Sequence, residues 1–148
     1  MGSVPDLNEP ATWIPVDAVA GSFVDLMFSP RKLPVLVNLV HPRPVTWQQL
    51  VDAIGEELHV PIFVLPMAEW LEKLEILAED ADPEVMDRVP AIKLLGFFRA
   101  TFSAQSLRPA FDTAKLQEYS NTMNTISPIG KQHAAMWVRY WKRKGLLA

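Results

Sequence analysis

The segment from Val35 to Glu75 constrains the fold more than any other, because its hydrophobic period changes three times within it. Val35–Val40 is a mostly apolar, largely β-branched run, the composition of a strand buried on both faces. Pro42 and Pro44 end it, since proline has no amide to give to a ladder. Thr46 then stands where a helix N-cap belongs, with Gln49 three residues on, the capping-box spacing. Trp47, Leu50, Val51, Ile54 and Leu58 recur at steps of three and four, opposite Gln48, Asp52, Glu56 and Glu57, which makes an amphipathic helix. His59-Val-Pro61 turns the chain into a second short apolar strand, Ile62–Leu65, and a helical stripe follows at Met67, Trp70, Leu71, Leu74 and Leu77. Two strands joined by one crossover helix predict a parallel pair with a right-handed connection. The expected fold class is α/β, a mainly helical unit with a small strand-helix-strand parallel pair.

Elsewhere the pattern is chiefly helical. Residues 1–12 are polar with Pro5 and Pro10, and read as an extended lead-in to a unit over residues 13–148. Asp17 is placed to cap a helix over Ala18–Met27, with an apolar stripe of Val19, Ala20, Phe23, Val24 and Met27. An acidic patch (Glu79, Asp80, Asp82, Glu84, Asp87) precedes Ala91–Phe102, which is apolar on nearly every side. Gln105–Phe111 reads as a loop, Asp112 as the cap of a short helix through Tyr119, and Ser120–Ser127 as a polar connector. A last helix starts near Pro128, striped by Met136, Trp137, Tyr140 and Trp141.

Composition removes several kinds of chemistry. With 148 residues, 49% of them hydrophobic, the chain can fill a core. A net charge of −3 argues against nucleic acid as a partner, and the absence of cysteine removes disulfides, zinc–thiolate sites and thiol nucleophiles. No apolar run reaches transmembrane length and no signal peptide opens the chain, so the reading is soluble, cytoplasmic and away from membranes. The six glycines are scattered, so neither a dinucleotide fingerprint nor a P-loop can be written. His41, His59 and His133 have no metal-like spacing. Asp80-Ala-Asp82-Pro-Glu84 begins like a calcium loop but has Val85 where glycine is needed and Ala91 where the last acid belongs. Tyr140-Trp-Lys-Arg-Lys144 matches the tyrosine-x-x-x-lysine pair of short-chain reductases, but no glycine-rich turn lies upstream; a core tyrosine and a basic helix end explain it better.

Four elements resemble a known family. Trp13-Ile-Pro-Val-Asp17-Ala-Val-Ala20 is similar to the W-I-P-V-D-x-V-A element of the male-sterility type of extended short-chain dehydrogenase/reductases. His41-Pro-Arg-Pro-Val-Thr-Trp47 resembles the strand-to-helix turn of terminal thioester reductase domains in fungal polyketide and non-ribosomal-peptide-like synthetases. Trp70-Leu-Glu-Lys-Leu-Glu75 and Trp137-Val-Arg-Tyr-Trp-Lys142 follow in the same relative order, so that the resemblance spans Thr12 to Leu147. Aminoadipate and carboxylic acid reductases are sister families.

The resemblance implies a position within a larger enzyme. In that family a Rossmann half binds NADPH and carries the catalytic tyrosine and lysine, and a C-terminal half covers the substrate. The second half also faces the acyl or peptidyl carrier protein, which delivers a thioester on its phosphopantetheine arm. This chain is expected to be the C-terminal half, with catalytic and cofactor-binding residues upstream of residue 1 and none of its own, no metal, and no turnover alone. Its partners would be the missing Rossmann half and the carrier protein. Trp13, Asp17, His41 and Trp47, at the ends of elements, are the candidate substrate-binding residues, although capping, packing and turn formation also account for each. Self-association is expected through Ala91–Phe102 or through Trp13 and Ile14. The competing reading is a non-enzymatic interaction module that docks a carrier protein or binds a helix; a complete hydrolase is disfavoured because no G-x-S-x-G occurs.

Overall fold

A computed structural model describes residues 1–103 and 110–147; the loop expected at Gln105–Phe111 lies almost wholly outside the described residues. The described chain runs β1 (Ser3–Pro5), α1 (Val16–Met27), α2 (Trp47–Leu58), β2 (Phe63–Leu65), α3 (Met67–Glu79), α4 (Pro83–Arg88), a 3₁₀ turn at Pro90–Leu94, α5 (Leu95–Ser103), α6 (Ala114–Tyr119), α7 (Asn121–Thr125) and α8 (Lys131–Arg143). It is mainly helical with one parallel two-stranded sheet, the expected class. Among the described residues no helix is long and apolar enough to cross a membrane.

The parallel pair is real, but one of its strands is not the expected one. Ser3, Val4 and Pro5 pair with Phe63, Val64 and Leu65, so the N-terminal residues occupy the slot assigned to Val35–Val40. That run forms no strand, and Val35 and Leu36 are 108% and 71% exposed. The reason lies at the outer edge of β1. The amide of Phe63 donates to Gly2 O at 3.0 Å and that of Asp6 to Leu65 O at 2.7 Å, which leaves the Ser3 and Pro5 carbonyls facing away from β2. Trp70 Nε1 donates to Ser3 O at 3.2 Å and Trp47 Nε1 to Pro5 O at 2.8 Å. Two indoles, one from α2 and one from α3, thus satisfy the edge that would otherwise be bare. Pro5 suits the place, since an edge strand can dispense with an amide on its outer side.

The helices pack as two main clusters, each of which sends one indole to the outer edge of β1. Leu50 of α2 meets Ala11 and Ile129, with Trp47, Ile54 and Trp137 of α8 packed against them. Trp70 and Leu74 of α3 meet Ile92, with Met86, Leu95 and Phe98 around them. The Thr46–Gln49 capping box is present in full, Gln49 N–Thr46 Oγ1 at 3.1 Å and Thr46 N–Gln49 Oε1 at 2.9 Å. At the other end of α2, His59 takes a left-handed φ of 57°, and a Cβ on Gly55 would stand 3.0 Å from Val60 O. A side chain at position 55 would crowd that oxygen, so glycine suits the point where the chain folds back into β2.

Four local expectations are corrected. The first helix begins at Val16 behind Pro15, so Asp17 lies in its first turn and caps nothing. Its buried residues are Ala18 and Ser22, while Phe23, Val24 and Met27 are 55%, 53% and 76% exposed. Likewise α8 buries Ala134 and Val138 and leaves Met136 and Tyr140 about half exposed, so Tyr140 is no core tyrosine. In α1 small residues admit a closely approaching neighbour and Phe23, Val24 and Met27 are turned outward, while in α8 the stripe is split, Trp137 packing inward and Met136 and Tyr140 turned out. Finally, the connector at Ser120–Ser127 contains α7, because the Ser120 hydroxyl accepts the amide of Met123 at 3.1 Å and starts a turn that buries Met123 completely.

Candidate functional site

Trp13 and Trp47 are brought together, and Trp137 joins them. The ring centroids of Trp13 and Trp47 lie 6.2 Å apart at 69°, and those of Trp13 and Trp137 6.1 Å apart at 54°. Trp13 is 50% exposed, whereas Trp47 and Trp137 are half-buried and backed by Leu50 and Ile54. The Thr12 carbonyl accepts His41 N at 3.2 Å, which joins the Trp13 segment to the turn that starts α2. The edge-to-face arrangement leaves one indole face open beside two fixed ones, a wall that can pack against an apolar or planar group. His133 lies at the rim, 6.2 Å from Trp137. Trp137 was visible in the sequence as part of the stripe of the last helix, but its meeting with Trp13 needs α2 and α8 side by side.

His41 is 3% exposed and fully engaged. Its Nδ1 accepts the amide of Arg43 at 3.0 Å, so the proton sits on Nε2, which donates to Ser127 O at 3.1 Å. Burial holds its pKa below the ordinary value of 6.5, with Arg43 and His133 adding to the effect and the Ser127 carbonyl opposing it. Neither nitrogen is open to a reacting group. The neighbouring Arg43 guanidinium donates to the carbonyls of Asn124 and Ile126 at the end of α7. The His41-Pro-Arg43 turn therefore locks the start of α2 to the segment between α7 and α8. Asp17 is exposed in the first turn of α1.

Two open depressions lie elsewhere. One, of about 340 Å³ and mostly apolar, is lined by Met1, Phe63, Leu65, Lys73, Ile76 and Leu77 beside the sheet. The other, of about 450 Å³, is lined among others by Asp25, Phe28, Arg31, Glu118, Tyr119 and Asn124. There Arg31 pairs with Glu118 and lies 4.4 Å from the Tyr119 ring centroid. The carboxylate raises the Arg31 pKa, first by accepting its hydrogen bond and then by charge. None of Trp13, Asp17, His41 or Trp47 lines either depression. Among the described residues no group of histidines and acids is arranged to hold a metal.

Comparisons with known proteins agree with the resemblance seen in the sequence. No family model matches the chain. The chain is 34% identical to adenylate-forming reductase Nps11 of Serpula lacrymans var. lacrymans (strain S7.9), over 99% of this chain and 15% of that protein. It is 31% identical to 3-methylorcinaldehyde synthase tropA of Talaromyces stipitatus, over 98% of this chain and 5% of that protein. It therefore spans only a small part of the curated relatives it matches. Its fold is similar to that of the terminal R domain from the myxalamid PKS-NRPS biosynthetic pathway, with a TM-score of 0.75 and 19% identity over 99% of this chain and 36% of that one. The relatives are adenylate-forming reductases and synthases, and the fold is that of part of a terminal R domain.

Proposed function

We propose that this relative of adenylate-forming reductases acts as the substrate-binding C-terminal part of an NADPH-dependent thioester reductase, which releases a carrier-bound acyl or peptidyl thioester as aldehyde or alcohol. The observation that carries this reading is the fold match to a terminal R domain over 99% of the chain. One relative is a 3-methylorcinaldehyde synthase, which accords with release as an aldehyde.

The role proposed for these residues is positioning. Trp13 and Trp47, joined by Trp137, supply a rigid apolar wall for the acyl group or the arm that carries it. His41 acts behind them, by holding the turn that sets Trp47, and Asp17 closes the Trp-Ile-Pro-Val-Asp element that Trp13 opens. The described residues are a poor fit for a dinucleotide. The turn from β2 into α3 runs through Pro66 without a glycine, so a pyrophosphate could not approach its backbone closely. NADPH belongs, in this reading, to the other half of the reductase, and no step of the proposed role passes through it.

The test is a titration of the chain with an acyl-pantetheine thioester, followed by tryptophan fluorescence. A saturable change that disappears in Trp13→Leu, with folding intact by circular dichroism, is the expected result. Absence of any saturable change in the wild-type chain would overturn the role, and so would a saturable NADPH site on this chain.

A further inference from the structure

The outer face of α1 is built for a partner and not for water. Val16, Ala20, Phe23, Val24 and Met27 recur at i, i+4, i+7, i+8 and i+11, the seam a helix presents to a packed layer. All five are exposed, Val16 at 82% and Met27 at 76%, and Phe28 just beyond the helix is 79% exposed. The opposite face carries Gly21, Ser22 and Asp25, and Asp17 alone of the charged residues of α1 is exposed, at the edge of the seam. Ser22 is fully buried, Gly21 lies so close to α7 that a Cβ would stand 3.0 Å from Thr122 Oγ1, and Asp25 turns its carboxylate inward to the Ser120 hydroxyl and the Thr122 amide, each at 2.8 Å. A helix with polar groups inside and an uncharged aliphatic and aromatic seam outside is inverted for a solvated surface. Monomers rarely leave apolar patches beyond roughly a few hundred Å².

We propose that this seam is the surface on which the remainder of the reductase domain packs, through a layer of uncharged aliphatic side chains. The inference rests on the reductase reading above and adds to it the location of the interface. The occupant follows from length: the match covers 36% of the terminal R domain chain, so well over half of a domain with this fold lies beyond the part found here. It also differs from the surfaces that composition alone suggests. In the 91–102 segment Phe98 is packed with Trp70, centroids 4.9 Å apart, and Trp13 is engaged with Trp47 and Trp137. Neither segment offers an unbroken seam of this length.

The probe is the reductase domain of the Serpula lacrymans relative Nps11 without the stretch that this chain matches, purified separately and mixed with the chain. One-to-one association is expected, with slowed amide exchange in α1, weakened at least tenfold by Phe23→Glu and by Met27→Lys. Phe97→Glu, on the exposed side of α5, is expected to leave it unchanged. Unaltered circular dichroism and melting confirm that the variants fold, and the second substitution keeps the test open should the first fail to do so. Association that survives both α1 substitutions overturns the assignment of the interface while leaving the reductase reading intact. Absence of association in the wild type, or self-association through α1 that the probe does not displace, overturns the proposed occupant. The acyl-pantetheine titration reports on the reductase reading independently of either result.

Discussion

Removing one indole donor should release the edge of β1. In Trp47→Phe the ring still packs on Leu50 and Ile54, but the Pro5 carbonyl loses the donor that stood 2.8 Å away. Pro5 is buried and its outer side faces no strand, so water replaces the indole poorly. An acceptor left in that state costs about 1–2 kcal/mol. For a chain of this size that corresponds to a fall in melting temperature of about 3–8 °C. Trp70→Phe should cost more, about 2–3 kcal/mol, because Trp70 is 4% exposed and the smaller ring also leaves a void beside Leu74 and Ile92. The double variant should lose less than the sum, since both indoles hold the same three-residue strand. Urea midpoints measure the totals, and amide exchange locates them: Asp6 and Phe63, whose amides close the ladder, should exchange faster in each single variant. If Trp47→Phe left both amides and the midpoint unchanged, the indole would not be what holds β1 in place.

Other perturbations probe the turns that set the tryptophan wall. Gly55→Ala should destabilise the chain by about 1–2 kcal/mol despite alanine's better helix propensity, because the obstruction is the backbone oxygen of Val60; thermal melting would show it. His41 has a lower pKa folded than unfolded, so the unfolded chain binds the proton more readily. Its contribution to stability is complete above about 6.5 and falls as the pH drops below that value. Urea midpoints across that range should decline in the wild type and less steeply in His41→Gln. Asp25 is shifted down from 3.8, first by the Thr122 amide and then by the Ser120 hydroxyl, so its stabilisation is present above 3.8 and is lost as the pH falls through the folded value. Asp25→Asn should flatten that acid limb. Arg43→Met removes the donor shared by the Asn124 and Ile126 carbonyls, and exchange should rise in α7 before it rises in α2.

The sequence by itself determined what depends on near neighbours. The capping box at Thr46 and Gln49, the α2 period, the short strand near Leu65, the α3 stripe of Trp70, Leu71 and Leu74, and the mainly helical class with one parallel pair were all legible. The local elements among these are fixed by residues within one or two turns of one another, where propensity, capping and periodicity act. The family resemblance was legible for the same reason, being carried by short contiguous elements. Only the tertiary structure decided which segment pairs with β2. Val35–Val40 has the better strand composition, yet Ser3–Pro5 takes the place because indoles from two distant helices satisfy its outer carbonyls. Tertiary structure likewise chose the buried faces of α1 and α8, where Ala18, Ser22, Ala134 and Val138 go inside while Phe23, Val24 and Met27 of α1 and Met136 and Tyr140 of α8 go out. Periodicity identifies an apolar seam but not what covers it. On α1 no described residue covers the seam, so a rule that sends the largest hydrophobic residues inward chose the wrong side.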